Sequence, residues 1–330
     1  MRFGFLITIL LIFILPLAVS AQALGDINND TAFSISVDPQ YPAPYSQAVL
    51  STLSSELNLN NAVMSVSVAG KEIYNGSVRP VSVSMGKAGE MVRVKVVITS
   101  SGASYSQTLS IQPQDVAIIA EPISSVHPLY KGKPLVPLEG DVRVVAMANL
   151  QDAKGKIINP TALSYSWTVD GTQIASASGI GKQAIIVASP LQYRARNVSV
   201  AVMSQDGGLV GGASLSLNPL EPSVFIYRND PLLGILFDHT LSTHTITNSE
   251  DTLYAAPFSL PTTGGAPFIQ WFLNGDAAQT GNSITLRPTG KGQGNASLSV
   301  VASAGESTRA TKNLPLSFGA ATGGLGLFGL

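Results

Sequence analysis

The chain has 330 residues, a formal net charge of −1 and no cysteine, and only 12% of its residues are charged. This composition excludes a basic surface for nucleic acid or anionic lipid, and it excludes disulfides and thiolate metal sites. The length is sufficient for two or three hydrophobic cores. Soluble domains usually carry about 25% charged residues, so polar faces built from Ser, Thr, Asn, Gln and Gly are typical here of an exported β-protein.

The N-terminal segment has the pattern of a cleaved export signal. One arginine is followed by 23 uncharged residues, 3–25, and small residues suited to signal peptidase end at Ala21 and Ala23. We therefore interpret residues 1–23 as a signal peptide with a helical apolar core and residues 24–31 as a linker. One alternative is a pilin-type leader. Another is an uncleaved anchor, because the apolar run is nearly long enough to cross ~30 Å of hydrocarbon.

A short strand-like motif that ends in glycine recurs three times along the chain. The copies are MSVSVAG at residues 64–70, YSWTVDG at 165–171 and IQWFLNG at 269–275. Their closing glycines are 101 and then 104 residues apart (171 − 70 and 275 − 171). A repeat of this length built from alternating strands predicts an all-β chain of three tandem immunoglobulin-like β-sandwich domains.

The alternation of apolar and polar residues, punctuated by glycine and proline, sets the expected domain boundaries. We assign domain 1 to residues 32–113, domain 2 to 114–219 and domain 3 to 220–318. Residues 319–330 form a glycine-rich apolar C-terminal tail. Residues 46–61 are interpreted as a strand and a loop rather than a helix. The linkers are short and contain proline, which limits bending.

The two tryptophans occupy the same position in their repeats. Trp167 and Trp271 each alternate in phase with apolar neighbours, and Val66 is their counterpart in domain 1. In immunoglobulin-like sandwiches a tryptophan on strand C packs across the core. We therefore expect both tryptophans to be core residues rather than platforms for stacking sugars.

The sequence offers no arrangement typical of catalysis or metal binding. Its three histidines are His127, His239 and His244, the last two in the segment FDHTLSTHT, which we interpret as an exposed loop. Neither HExxH nor GxSxG occurs, and the acidic residues are scattered rather than paired. We expect no enzyme, no cofactor and no metal site.

Two segments are candidates for contact with a partner. The basic, proline-rich loop HPLYKGKPLVP contains Tyr130, Lys131 and Lys133. Its alternative interpretation is an edge strand interrupted by a turn, in which lysines and prolines block edge-to-edge pairing.

The second candidate is the C-terminal tail, which ends in three large apolar residues, Leu327, Phe328 and Leu330. We expect them to dock on a neighbouring subunit or an assembly factor, by adding a strand to a free sheet edge. The alternative is a disordered tail.

Several turn and linker motifs together resemble a known group of proteins. In chain order they are YPAPYSQ, YKGKPL, YSWTVDG, RNDPLLG and GGLGLFGL. This series resembles uncharacterised exported proteins with tandem immunoglobulin-like or PKD-like domains from candidate-phylum bacteria of the Parcubacteria type. The resemblance implies a surface or pilus-associated component and brings no catalytic residues with it.

Taken together, these features predict an exported, non-enzymatic structural or adhesive protein of the cell surface, associated with a pilus or the envelope. Expected partners are a surface protein, a glycan, pilus components or further copies of the chain. Nucleic acid is not expected, and a membrane is contacted only through the signal segment before cleavage. The alternative function is a module that binds carbohydrate or cell-wall polymer through Tyr41, Tyr45, Tyr130 and Tyr193.

Overall fold

The computed structural model describes residues 32–190, 194–289, 292–305 and 307–319. The predicted signal peptide and linker, and the tail from residue 320 onward, lie outside the described residues. Within the described ranges, no helix has the length and apolarity needed to cross a membrane.

The first sandwich pairs a three-stranded sheet, in the order β1-β2-β5, with a four-stranded sheet, in the order β4-β3-β6-β7. Its strands are β1 (Ser34–Asp38), β2 (Gln47–Leu53), β3 (Val63–Val68), β4 (Lys71–Ser77), β5 (Val81–Ser84), β6 (Val92–Ser100) and β7 (Ala103–Ile111). Residues 46–61 give β2, a loop and the single 3-10 turn Leu59–Asn61, which confirms the predicted strand and loop. Val66 is buried and lies opposite Val96 of β6.

The second sandwich repeats this arrangement with the sheets β13-β9-β8 and β11-β10-β14-β15. Its strands are β8 (Asp115–Pro122), β9 (Asp141–Asn149), β10 (Ser164–Val169), β11 (Thr172–Gln173), β12 (Gly179–Ile180), β13 (Ala184–Ala188), β14 (Arg196–Met203) and β15 (Val210–Leu217). The short β12 pairs with β10 beside this path.

The third sandwich has larger sheets, in the orders β17-β16-β19-β22 and β18-β24-β23-β20-β21. Its strands are β16 (Ser223–Asp230), β17 (Gly234–Ile235), β18 (His244–Ile246), β19 (Asp251–Phe258), β20 (Phe268–Leu273), β21 (Asp276–Thr280), β22 (Ser283–Leu286), β23 (Gly294–Ala304) and β24 (Thr308–Phe318). Strand β18 runs parallel to β24, whereas the other named strands pair antiparallel. The expected all-β fold of tandem immunoglobulin-like sandwiches is therefore confirmed in the part of the chain that is described.

The tryptophans lie at the centre of two separate cores, as predicted. Trp167 pairs with Val200 and Trp271 with Val300, and neither tryptophan is exposed to solvent. Each buried indole N–H needs an acceptor. That of Trp167 donates to the Lys182 carbonyl at 2.9 Å, and that of Trp271 to the Gly281 carbonyl at 2.9 Å.

The repeated motif ends in a two-residue hairpin turn that explains its closing glycine. Both turn residues have a positive φ in each copy: Ala69 (49°) and Gly70 (83°), Asp170 (49°) and Gly171 (80°), and Asn274 (54°) and Gly275 (95°). This is the type I′ geometry, which matches the twist of the flanking strands and favours glycine at the second position. In each sandwich the turn therefore fixes the register between the two strands that it joins.

In two of the three turns, the first residue also bonds to a neighbouring strand. Asp170 Oδ1 accepts from the Asn197 amide at 2.8 Å, and Asn274 Oδ1 accepts from the Ser297 amide at 2.9 Å. Ala69 occupies the same position in the first sandwich and has no side-chain acceptor. The first turn therefore lacks a contact that the other two have.

The described chain divides into two compact units. The first comprises the described residues up to Asp38 together with Gln47–Ser84 and Met91–Gln112. The second comprises Pro39–Ser46, Met85–Glu90 and the described residues from Pro113 onward, so it contains both the second and the third sandwich. The domain boundaries after residues 113 and 219 remain predictions.

Candidate functional site at the junction of the second and third sandwiches

Within the second compact unit, the loop between β8 and β9 packs against the third sandwich. We call residues 123–140 the junction loop. Two isolated bridges attach it, between Ser124 and Pro261 and between Pro137 and Leu220. Three prolines restrict its backbone, which lowers the conformational entropy that is lost when it docks.

Backbone hydrogen bonds hold the start of the junction loop to the segment that follows β19. The Ser125 amide donates to the Leu260 carbonyl at 2.8 Å, and the Ser259 amide donates back to the Ser125 carbonyl at 3.0 Å. The Thr262 amide donates to the Ile123 carbonyl at 3.1 Å. Each such bond contributes about 0.5–1.5 kcal/mol to the free energy of unfolding. Breaking a buried one costs more, because its donor and acceptor then have neither a protein partner nor water.

Ser259 is the central polar residue of this contact. It is fully buried, and its φ of 57° is in the left-handed region. Its hydroxyl lies 3.0 Å from the Leu220 carbonyl oxygen and 3.3 Å from that of Val136, so its one proton serves one acceptor at a time. The Leu220 amide donates to the Val136 carbonyl at 2.9 Å. Ser259 therefore links the junction loop, the linker between the two sandwiches and the end of β19.

An aromatic cluster covers the outer face of β16 and β19. Val224 and Ile226 of β16 point into the core, so the residues between and after them, Phe225 and Tyr227, point outward. We define the junction aromatic cluster by its rings: His127, Tyr130, Phe225, Tyr227, Phe237, Tyr254 and Phe258. Burial raises the pKa of the Tyr227 and Tyr254 phenols.

His127 and Tyr130 are the rings that the junction loop contributes. The imidazole of His127 stacks on Phe237 with centroids 4.2 Å apart and meets Phe258 edge-on at 5.4 Å. Tyr130 meets Phe258 edge-on at 5.5 Å. Such aromatic pairs contribute about 0.5–1.5 kcal/mol beyond their buried area, so the cluster stabilises the docked loop.

The end of the junction loop contacts the third sandwich through the carboxylate of Glu139 and through the close approach of Gly140 to Pro261. Glu139 accepts hydrogen bonds from the hydroxyls of Ser307 at 2.6 Å and Thr308 at 2.9 Å, which lower the pKa of its carboxyl. Gly140 has a φ of 112°, and a Cβ added there would lie 2.6 Å from Cβ of Pro261. Only glycine fits this close approach without displacing the backbone.

The structure corrects one interpretation of the predicted contact loop. Residues 125–136 form no strand, so the interrupted edge strand is wrong. Tyr130 is 37% exposed, and Lys131 and Lys133 beside it are exposed as well. Whether these three residues bind a partner remains a prediction, and Leu327, Phe328 and Leu330 lie outside the described residues.

Sequence reasoning missed the junction because it treated β16 and β19 as ordinary half-buried strands. A signal was present: VFIY in β16 and LYAAPF in β19 are apolar without alternation. Continuous apolar runs of this length are typical of strands covered on both faces.

The tyrosines proposed for carbohydrate contact lie in different environments. Tyr45 is 78% exposed. Tyr41 packs so closely on Gly212 that a Cβ there would lie 2.4 Å from the Tyr41 ring, and burial raises the pKa of the Tyr41 phenol. Tyr193 lies outside the described residues. Exposed rings are therefore limited, among the described candidates, to Tyr45 and Tyr130.

The histidine segment differs in part from its predicted exposed loop. His239 is exposed and lies 3.0 Å from Asp238, whose carboxyl pKa is lowered by their hydrogen bond. His244 instead belongs to β18 and is nearly buried, with its Nε2 3.3 Å from Oδ2 of Asp251. Across residues 32–319, apart from the positions not described, no group of three or more His, Cys, Asp or Glu could hold a metal ion.

Comparison with known proteins gives an architectural likeness and no family. No protein-family model matches the chain, and no curated protein matches it. Among solved structures, the three N-terminal domains of the highly immunogenic outer capsid protein (Hoc) of bacteriophage RB49 are 13% identical with a TM-score of 0.24, over 88% of this chain and 99% of that one. The central fibronectin-III array of RIM-binding protein is 8% identical with a TM-score of 0.31, over 86% and 95%.

A third similar structure is the Bacteroides ovatus protein SGBP-B in complex with a mixed-linkage heptasaccharide. It is 11% identical with a TM-score of 0.21, over 84% of this chain and 65% of that one. At these values the likeness carries no argument about function. The resemblance to exported proteins of candidate-phylum bacteria likewise remains a prediction.

Proposed function

We propose that this chain is an exported, non-enzymatic protein of the cell surface whose second and third sandwiches act as one stiff structural element. The observation that carries the proposal is the junction within the second compact unit. The hydrogen bonds of the buried Ser259 side chain and the junction aromatic cluster hold the two sandwiches together, in addition to the linker itself. Bending at the junction would break these contacts, which costs free energy, so the junction resists bending as a spacer requires.

A non-enzymatic role is supported by what the described ionisable groups do. The His244–Asp251 pair is packed at the ends of two strands, and His127 serves as a stacked ring. Acid–base chemistry requires a titratable group placed beside a reacting atom in a cleft. These histidines are used for packing instead.

Export is supported by the N-terminal pattern of one arginine followed by a long uncharged apolar run and small residues. The test is to produce the full chain with a C-terminal epitope tag in a bacterial host and to digest intact cells with protease. We expect the tag to be lost from intact cells and the mature N-terminus to follow Ala21 or Ala23. A tag that is protected until the cells are lysed would refute surface display.

Stiffness is tested separately on the purified protein. We expect the second and third sandwiches to unfold in one cooperative transition, because each stabilises the other through the junction. Two separate transitions in the unmodified chain would refute the stiff element without bearing on export.

A second candidate function, binding of carbohydrate or cell-wall polymer, is favoured by the exposed rings of Tyr45 and Tyr130. A glycan array with Tyr45→Ala and Tyr130→Ala tests it. Saturable binding that either substitution abolishes would support this function, and equal binding by all three proteins would exclude these rings as its site.

A contact role for the C-terminal tail is a further part of the proposal. Deletion of residues 323–330 should impair assembly with a partner or with other copies of the chain. Unchanged export and assembly after the deletion would refute it.

A further inference from the structure

The first compact unit contains a polar cleft that the structural role does not use. It has a volume of about 320 Å³ and lies between the end of β2, the 3-10 turn Leu59–Asn61, the last residue of β4 and residues 78–80, which connect β4 to β5. This volume is at the lower end of the ~300–1,000 Å³ typical of small-molecule sites. The cleft therefore has room for one or two sugar units.

Arg79 gives the cleft its charge. Its guanidinium carbon lies 4.7 Å from the centre of the Tyr74 ring, a cation–π contact, and the Tyr74 hydroxyl is itself fixed by donating to the Ser77 carbonyl at 2.5 Å. No ion pair joins Arg79 to the described residues, and no carboxylate lines the cleft. An arginine that is positioned by an aromatic ring and has no carboxylate partner favours an anionic ligand in the cleft.

The remaining walls offer uncommitted polar groups beside small apolar surfaces. Ser51, Asn60 and Ser77 line the cleft, and their side chains make no hydrogen bond to the described residues. Leu59 and Val78 supply apolar surface. Several hydroxyl and amide groups next to an apolar wall match the alternating O–H and C–H faces of a sugar.

We propose that this cleft binds an acidic sugar, a uronic acid unit of a surface or cell-wall glycan. Arg79 pairs with the carboxylate through its planar fork of donors, and Ser51, Asn60 and Ser77 bond to the ring hydroxyls. The proposal adds a binding activity in the first sandwich and is independent of the stiff junction. Access to a surface or cell-wall glycan rests on the proposed export, whereas binding of a uronate by the purified protein does not.

The test is titration of the purified full chain with di- and trigalacturonate, followed by calorimetry and NMR. Neutral galactose oligomers serve as the ligand control. We expect uronate binding that weakens with added salt, and a loss of about tenfold or more in affinity for Arg79→Gln, because a hydrogen-bonded charge pair is removed.

Two variants make the test specific. Asn60→Ala should weaken binding several-fold, whereas Arg93→Gln, which removes an exposed arginine of β6 that does not line the cleft, should leave affinity unchanged. The circular dichroism of each variant should match the unmodified protein. Absence of binding at millimolar uronate, equal binding of neutral galactose oligomers, or unchanged affinity in Arg79→Gln would each overturn the proposal.

Discussion

Substitution of Ser259 tests whether the second and third sandwiches are mechanically and energetically coupled. Ser259→Ala removes the hydroxyl. It leaves the backbone strain at the positive φ unchanged, because alanine and serine both carry a Cβ. The Val136 carbonyl still accepts from the Leu220 amide, but the Leu220 carbonyl loses the Ser259 hydroxyl. Leu220 is 49% exposed and this hydrogen bond is only partly buried, so its loss costs the ordinary net contribution of a hydrogen bond, about 0.5–1.5 kcal/mol.

We therefore expect Ser259→Ala to lower the free energy of unfolding of the second unit by about 0.5–1.5 kcal/mol. For roughly 200 residues this corresponds to a fall in Tm of about 2–4 °C per kcal/mol. Calorimetry and urea unfolding measure the loss. Hydrogen exchange locates it, because the amides of Ser125 and Leu260 should lose protection while those around Trp271 keep theirs.

Ser259→Gly is the matched control. It removes the same hydroxyl but relieves the backbone strain at a φ of 57°, so it should be less destabilising than alanine. A Ser259→Ala protein as stable as the unmodified chain, with unchanged protection of the Ser125 and Leu260 amides, would refute the coupling. Loss of protection around Trp271 as well would show that the effect is not confined to the junction.

Three further substitutions test separate contacts. Gly140→Ala should cost about 2 kcal/mol or more, because a Cβ at a φ of 112° would lie 2.6 Å from that of Pro261, and urea unfolding measures this. Ala69→Asn should stabilise the first sandwich by about 1 kcal/mol, since asparagine tolerates the left-handed region and supplies the missing acceptor, and calorimetry should show a higher Tm. The hydrogen bonds from Ser307 and Thr308 lower the pKa of the Glu139 carboxyl, so the stabilisation is fully present above the pKa of the unfolded chain and is lost as the pH falls through the lower pKa of the folded protein. Glu139→Gln should therefore reduce the loss of stability seen between neutral and acidic pH.

Each of these predictions has an outcome that contradicts it. A Gly140→Ala protein as stable as the unmodified chain would show that the backbone yields at little cost. An unchanged or lower Tm in Ala69→Asn would mean that the first turn does not accept the contact made by Asp170 and Asn274. An identical acid profile in Glu139→Gln would remove the hydroxyl contacts of Glu139 as a cause of pH dependence.

The strands and their cores follow from local patterns that can be read along the chain. Period-two alternation places Val66, Trp167 and Trp271 on inward faces, and the spacing of the turn glycines sets the length of each repeat. Both signals are local, because side-chain direction in a strand and the sign of φ in a hairpin turn depend on neighbouring residues.

The junction depends on contacts between residues that are far apart in the chain. The Ser259 hydroxyl meets the carbonyl of Val136, 123 residues away, and Glu139 accepts from Thr308, 169 residues away. Alternation shows that one face of a strand is buried, but it does not show what covers the other face. The sequence alone therefore indicates Tyr130 only as a candidate partner contact and does not show that His127 packs on the third sandwich. Only the tertiary structure determines that the junction loop covers β16 and β19, because burial of an outer apolar face depends on which distant segment can reach it and satisfy its polar groups.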